Sequence, residues 1–378
     1  MRGVGRPLGI AAAIVIVACG GAPAPAATEP SPSATHATHS AAPEVPSAPA
    51  SAAPAPVVAA PTAAPYSKLR VFVASESADA LVVLEGGATF EVVGKVPVGR
   101  FPHNISVSPD ARWLAVADRL GNTVTIVDPV EMKQVSRIRV GRQPHDLIWH
   151  PDSKTLFVGH ERDGFISRVE AGTWRILPPL MVGVPQHDLA IVASRPTELY
   201  YSVTNSEQWD HLRVYDLATN AITRIKVQDV HDVFFTPDEK EIWTTSSGFI
   251  DVHSDRLVIT DPAKKEMKQE LRFSGRYPFH TMKRGRDGAF FPPQGTPMLL
   301  SDHGGPSLLF IDAAERRVAT ATKLGEQPFH TTYDPLGERL LVTSNVAGEV
   351  AVIDLATREV RQRIKVTAPH GIVAVGVP

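Results

Sequence analysis

The sequence predicts an all-β fold, a seven-bladed β-propeller of four-stranded blades closed by its last strand, and three observations predict it. An element opening on a histidine recurs seven times. Each copy continues through the same succession of short apolar runs. The first and last copies are each incomplete, and each holds what the other lacks.

The opening element reads FPHNISVSPD at 101, QPHDLIWHPD at 143, PQHDLAIVAS at 185, DVHDVFFTPD at 229, PFHTMKRGRD at 278, PFHTTYDPLG at 328 and APHGIVAVGV at 368. Its histidines are His103, His145, His187, His231, His280, His330 and His370, spaced by 42, 42, 44, 49, 50 and 40 residues. A second apolar run follows (WLAVAD, TLFVGH, LYYSVTN, EIWTTSS, MLLSDH, LLVTSN). A third ends on an acid (VTIVD, ISRVE, LRVYD, LVITD, LLFID, VAVID), and a fourth alternates with polar residues. The runs are short, rich in Val, Ile, Thr and aromatics, and bounded by turn residues, so they read as strands. Four strands per 40–50 residues is the period of a propeller blade.

Residues 69–99 supply a second, third and fourth strand without a first, and 369–378 supply a first strand and stop. The two segments are expected to share one blade. That pairing removes the exposed strand edges and ties the ring shut. The acids ending the third strands, Glu85, Asp128, Glu170, Asp216, Asp261, Asp312 and Asp354, stand before turn sequences such as DPVE and DLAT. An Asp there bonds the turn backbone, so their recurrence is structural.

The first 65 residues stand apart. Residues 1–18 join two arginines to a short apolar run, the build of an export signal. Residues 19–65 begin with Cys19, and positions 20–65 hold eleven prolines among Ala, Ser and Thr, with no Lys or Arg. Such a segment buries too little apolar surface to fold and reads as a disordered tether. His36 and His39 in it read as solvated linker residues. The propeller is expected over 66–378. With one cysteine in the chain, no internal disulfide supports it. The formal charge is −2 and no basic run occurs, so nucleic acid is not an expected partner.

The motif Gly-x-x-Pro-His, apolar run, Ser-Pro-Asp, apolar run, Val-x-Ile-Val-Asp stands in full as GRFPHNISVSPDARWLAVADRLGNTVTIVD at 99–128 and returns as GEQPFHTTYDPLGERLLVTSNVAGEVAVID at 325–354. It resembles the YVTN family of bacterial β-propellers over residues 69–378. The resemblance implies kinship with surface-layer proteins, lactonase-like propellers, and the propeller domains of haem d1 nitrite reductase and nitrous oxide reductase. The WD-repeat signature is absent. Ile16-Val17-Ala18-Cys19 resembles the lipobox of bacterial lipoproteins, which implies cleavage before Cys19 and acylation of its sulfur. The expected location is then the cell envelope, on the periplasmic face of a membrane or the cell surface. Two blades carry insertions, 247–255 and 285–297, as loops grafted on the ring.

The first strand of a blade is the innermost, so the seven histidines, in one phase, are expected to meet at one mouth of the central channel. Propeller relatives often keep a histidine there, and repeat duplication alone copies it. Yet the flanking residues vary (PHN, PHD, QHD, VHD, FHT, PHG) while the histidine stays. Burial and mutual repulsion keep such imidazoles largely neutral, the form that binds metals. An all-nitrogen set suits copper, zinc, nickel or iron rather than magnesium or calcium. In the nitrous oxide reductase propeller a ring of histidines holds a copper–sulfide cluster, so the resemblance implies copper first. Residues 69–378 hold no counterpart of that enzyme's second, electron-delivering copper domain, so the same reaction is not the expected one. Asp146, Asp188 and Asp232, each following a ring histidine, are candidates to orient it. His160 and His303, ending second strands, and Arg100, Arg142 and Arg276, preceding ring histidines, are candidates for the rim.

The expected function is a tethered extracytoplasmic propeller, a monomer, that binds a transition metal or a small ligand through this ring, with a redox role in view. The alternatives are a lactonase-like hydrolase and a non-enzymatic surface module that meets another envelope protein. No Gly-x-Ser-x-Gly element supports acyl transfer. The anchoring expectation is tested by Cys19→Ala in cells fed a labelled fatty acid. The variant is expected to lose the label and to change its processing; equal labelling rejects the lipobox reading.

Overall fold

The computed structural model describes residues 67–378 except 204–210, 237, 247–255, 273–278, 282–297, 303–305, 313, 326–327 and 335–337. Cys19, both insertions, Arg276 and His303 lie outside the described residues. Among the described residues no helix is long and apolar enough to cross a membrane.

The described strands form seven antiparallel four-stranded sheets. Six are consecutive in the chain, spanning 102–139, 144–181, 186–225, 230–272, 279–323 and 328–365. The remaining sheet places Pro369–Val377 beside Lys68–Ser75, followed outward by Ala80–Gly86 and Phe90–Pro97. The inner strand of each sheet packs against the inner strand of the next, and the last returns to the first. The fold is a β-propeller, closed by its C-terminal strand as expected.

Buried hydrophobic clusters fill the spaces between adjacent sheets. One joins Phe72, Leu81 and Val375 to Ile105, Val107 and Leu114; another joins Val71, Leu84 and Ile372 to Leu341, Val350 and Val352. Strands within a sheet are therefore buried on both faces near the axis, as the burial of all six residues in Pro102–Val107 and Pro144–Trp149 shows. Outer strands such as Arg317–Lys323 alternate because one face meets water.

The aspartates among the repeated turn acids accept from turn amides as their positions imply, whereas Glu85 pairs with Lys68 and Arg70 and Glu170 accepts from Thr173 and Arg175. Asp128 Oδ1 accepts from the amides of Val130 (2.8 Å) and Glu131 (2.9 Å), and Asp216 Oδ1 accepts from Ala218 and Thr219 (2.9 Å each). These amide bonds hold the Asp216 carboxyl below its ordinary range.

A second repeated bond sits at the end of the second strand. Asp118 accepts from the Thr123 and Thr125 hydroxyls at 2.7 Å each. His160, at the same position one blade on, places Nε2 2.8 Å from Ser167 Oγ, and Ser167 stands where Thr125 stands. His160 is fully buried beside Phe165, ring centroids 5.2 Å apart. This histidine therefore packs within its own blade, bonded to the third strand through Ser167.

Two predictions follow from this packing. Deleting 369–378 exposes two strand edges and empties the places of Ile372, Val373, Val375 and Val377, all buried. Aggregation or a melting temperature lower by roughly 10 °C or more is expected; an unchanged cooperative melt rejects the closure. Burial also holds the His160 imidazole down to about 4 from 6.5. The unfolded chain then binds a proton that the folded chain refuses, so this contribution is present above pH 6.5 and is lost as pH falls through 6.5 toward 4. The full loss is about 3 kcal/mol. His160→Gln is expected to flatten the fall in melting temperature over that window, and an identical pH profile rejects the assignment.

Candidate functional site

Every ring histidine except His280 lies in a β-bulge. Between Pro102 and Ile105 the register against the second strand slips by one, so His103 and Asn104 together face a single residue. The same slip falls between Pro144 and Leu147, Gln186 and Leu189, Val230 and Val233, and Pro328 and Thr331, and His370 with Gly371 repeats it. The short strand Phe279–Thr281 pairs regularly through His280. A bulge breaks the two-residue alternation and re-aims its side chains. It also leaves an amide without a ladder partner, and the acid after the histidine takes up that amide in the next blade. Asp146 Oδ2 accepts from Leu189 N (2.8 Å), and Asp188 Oδ2 from Val233 N (2.7 Å). These two carboxylates hold blade to blade. Gly371 occupies the same position, where a Cβ would stand 2.5 Å from the His103 carbonyl oxygen.

Six imidazoles stand in unbroken succession. Ring centroids are 4.7 Å apart for His330–His370, 3.6 Å for His370–His103, 4.6 Å for His103–His145, 3.9 Å for His145–His187 and 4.0 Å for His187–His231. Five are buried, at 5–6% exposure, and His330 is half-buried. The His280 backbone occupies the corresponding place in its sheet.

The polar partners come from a position the repeat does not mark, the residue just past each second strand. Glu76 Oε1 lies 2.7 Å from His103 Nδ1. Glu161 Oε1 lies 3.7 Å from His145 Nε2, and its other oxygen accepts from Arg119 Nε at 2.8 Å. Asn345 Nδ2 donates to Glu76 Oε2 (3.2 Å) and to the Pro369 carbonyl (3.1 Å). Sequence reasoning missed Glu76, Arg119 and Glu161, because their residue types differ from blade to blade. Their shared offset from the second strand was the available signal. Of the rim arginines expected from the sequence, Arg142 is exposed and bonds Asp163 (Nε to Oδ1, 2.8 Å), and Arg100 is exposed.

Partner chemistry decides where the protons sit. A carboxylate and a carbonyl only accept, so His103 Nδ1 donates to Glu76, and His145 Nδ1 donates to the His187 carbonyl oxygen at 2.9 Å. Neutral His103 and His145 then both carry a lone pair on Nε2, and these two atoms face each other at 3.0 Å. Burial first, then repulsion from His103 when it is protonated, from Arg119 and from His370 when it is protonated, hold the His145 imidazole well below the usual histidine range. Three groups of potential ligand atoms occur among the described residues, each within 4.8 Å: Glu76, His103 and His370; His145, Glu161 and His187; His187, His231 and Asp232.

A closed propeller whose inner strands converge on abutting imidazoles backed by carboxylates is the class of protein that fold and site define. The chain belongs to the YNCE-like beta-propeller family, whose profile matches residues 37–377. No curated protein matches it. Among solved structures it is similar to AztD from Citrobacter koseri in the apo form, with a TM-score of 0.62, 12% identity, and 82% of this chain and 98% of that one covered. It is similar to Kuenenia stuttgartiensis hydrazine synthase, with a TM-score of 0.60, 16% identity, and 72% and 89% covered. It is similar to the dihydro-heme d1 dehydrogenase NirN in complex with DHE, with a TM-score of 0.59, 16% identity, and 80% and 74% covered. At these identities the likeness is one of fold.

Proposed function

We propose that the protein is a seven-bladed propeller that binds a transition metal, copper before zinc, through its histidine ring, and that Cys19 and the tether at 19–65 hold it at the extracytoplasmic face of a membrane. The observation that carries the reading is the pair of Nε2 atoms 3.0 Å apart, each with its lone pair turned to the other. Such a pair repels unless a cation lies between. Two nitrogens of a tetrahedral ion at the usual bond length of about 2.0–2.1 Å lie roughly 3.3 Å apart, so a small parting of the two rings admits one. Glu161 brings a carboxylate to the same place. Glu76 and the His187 carbonyl fix the two rings by their far nitrogens, the usual support of a metal-binding imidazole.

The residues supply binding and orientation. Glu76 holds a proton on Nδ1 of His103, His187 does so for His145, and the buried surroundings keep water from competing. A bound copper ion would supply electron transfer. A lactonase-like reading has less support, because the described acids near the ring are committed to imidazole, arginine or backbone partners. A proton shared between His103 and His145, favoured by Glu76, is the competing occupant of the Nε2 pair.

Metal uptake separates the two. Protein made without a His tag, stripped with chelator and offered copper(I) or zinc, is expected to retain metal after gel filtration. A variant with Asn at all seven histidine positions is expected to retain none. Equal uptake by both proteins, or none by either, overturns the reading, with folding of the variant checked by its far-ultraviolet spectrum.

A further inference from the structure

His145 and His187 abut at 3.9 Å between ring centroids, and the partners of the imidazoles change on the far side of His187. His145 directs Nδ1 to the His187 carbonyl oxygen and Nε2 to His103. His187 packs on His231 on its other side, centroids 4.0 Å apart. There the acid following the histidine takes a different partner. Asp146 and Asp188 direct an oxygen to a backbone amide of the next blade, whereas Asp232 Oδ1 lies 3.0 Å from the Nδ1 of its own His231. The second oxygen accepts from the Thr245 hydroxyl at 3.3 Å, which sets the plane of the carboxylate. His187, His231 and Asp232 are all at least 94% buried, with exposures of 6%, 5% and 5%. One ligand atom from each lies within 4.8 Å of the others.

We propose that His187, His231 and Asp232 form a second metal site, separate from the one between His103 and His145, and that it takes a divalent transition ion. The inference rests on the reading of the ring as a metal site and adds its nuclearity. Two imidazoles and one carboxylate make a mixed nitrogen and oxygen set. That set suits zinc, cobalt, iron or copper in the divalent state, and it disfavours the monovalent copper that an all-nitrogen pair accepts. Asp232 offers the ion a ligand because the bulge brings it to the same side as His231.

Cobalt(II) alone and zinc(II) alone, titrated into the stripped, tag-free full chain, test this. The wild type is expected to bind two equivalents, with two resolved phases in the cobalt absorption bands. Asp232→Asn and His187→Asn are each expected to bind one, and His103→Asn to bind the other one. His187→Asn keeps the carbonyl that His145 bonds, so it serves where Asp232→Asn disturbs folding. A wild type that binds one equivalent, lost in His103→Asn, overturns the second site and leaves the first standing. Two equivalents that survive both Asp232→Asn and His187→Asn overturn it as well. A wild type that binds no metal overturns both.

Discussion

Everything in this molecule depends on one pairing, that of Pro369–Val377 with Lys68–Ser75. A ring of sheets has no free edges near its axis only if the first and last strands meet. Ser75 Oγ donates to the Thr367 carbonyl (2.6 Å), the Glu76 amide donates to Ala368 (3.1 Å), and Asn345 reaches both Glu76 and Pro369. Glu76 is thus shared. It belongs to the seam that closes the ring, and it is also the carboxylate that orients His103. Closure and site use the same side chain.

The bulges explain how a propeller presents histidines at all. A regular strand sends consecutive residues to opposite faces. Each bulge places two residues against one and turns the histidine inward, and at Leu189 and Val233 the amide beside the bulge is satisfied by the acid of the preceding blade. The imidazole position and the inter-blade bond are therefore two results of one backbone irregularity. This is why the acid after the histidine recurs beside it, and why Gly371 replaces it where the His103 backbone approaches most closely.

The strands, the closure and the turn acids were legible in the sequence because each leaves a periodic mark. Histidine spacing showed which positions share a phase. It did not show the bulge, which is a property of two paired strands and not of one. Nor did it show Glu76, Arg119 and Glu161, whose common offset is hidden by their different chemistry. His160 misled for a related reason. As a histidine beside a strand end it looked like a rim residue, but it fills the place of Asp118, and its hydroxyl partner Ser167 is recognised only across the sheet.

The seam also imposes a timetable. Lys68–Ser75 precedes Pro369–Val377 by about three hundred residues in the chain. Its edge stays open until that last segment arrives, and the entropy of bringing such distant segments together is met only then. Until then Glu76 lacks both the Ala368 carbonyl and the Asn345 amide, and His370 has not joined His103. The nascent protein therefore holds blades without a finished centre. Ring and imidazole cluster are completed in the same late step, which keeps a half-made chain from presenting the finished cluster.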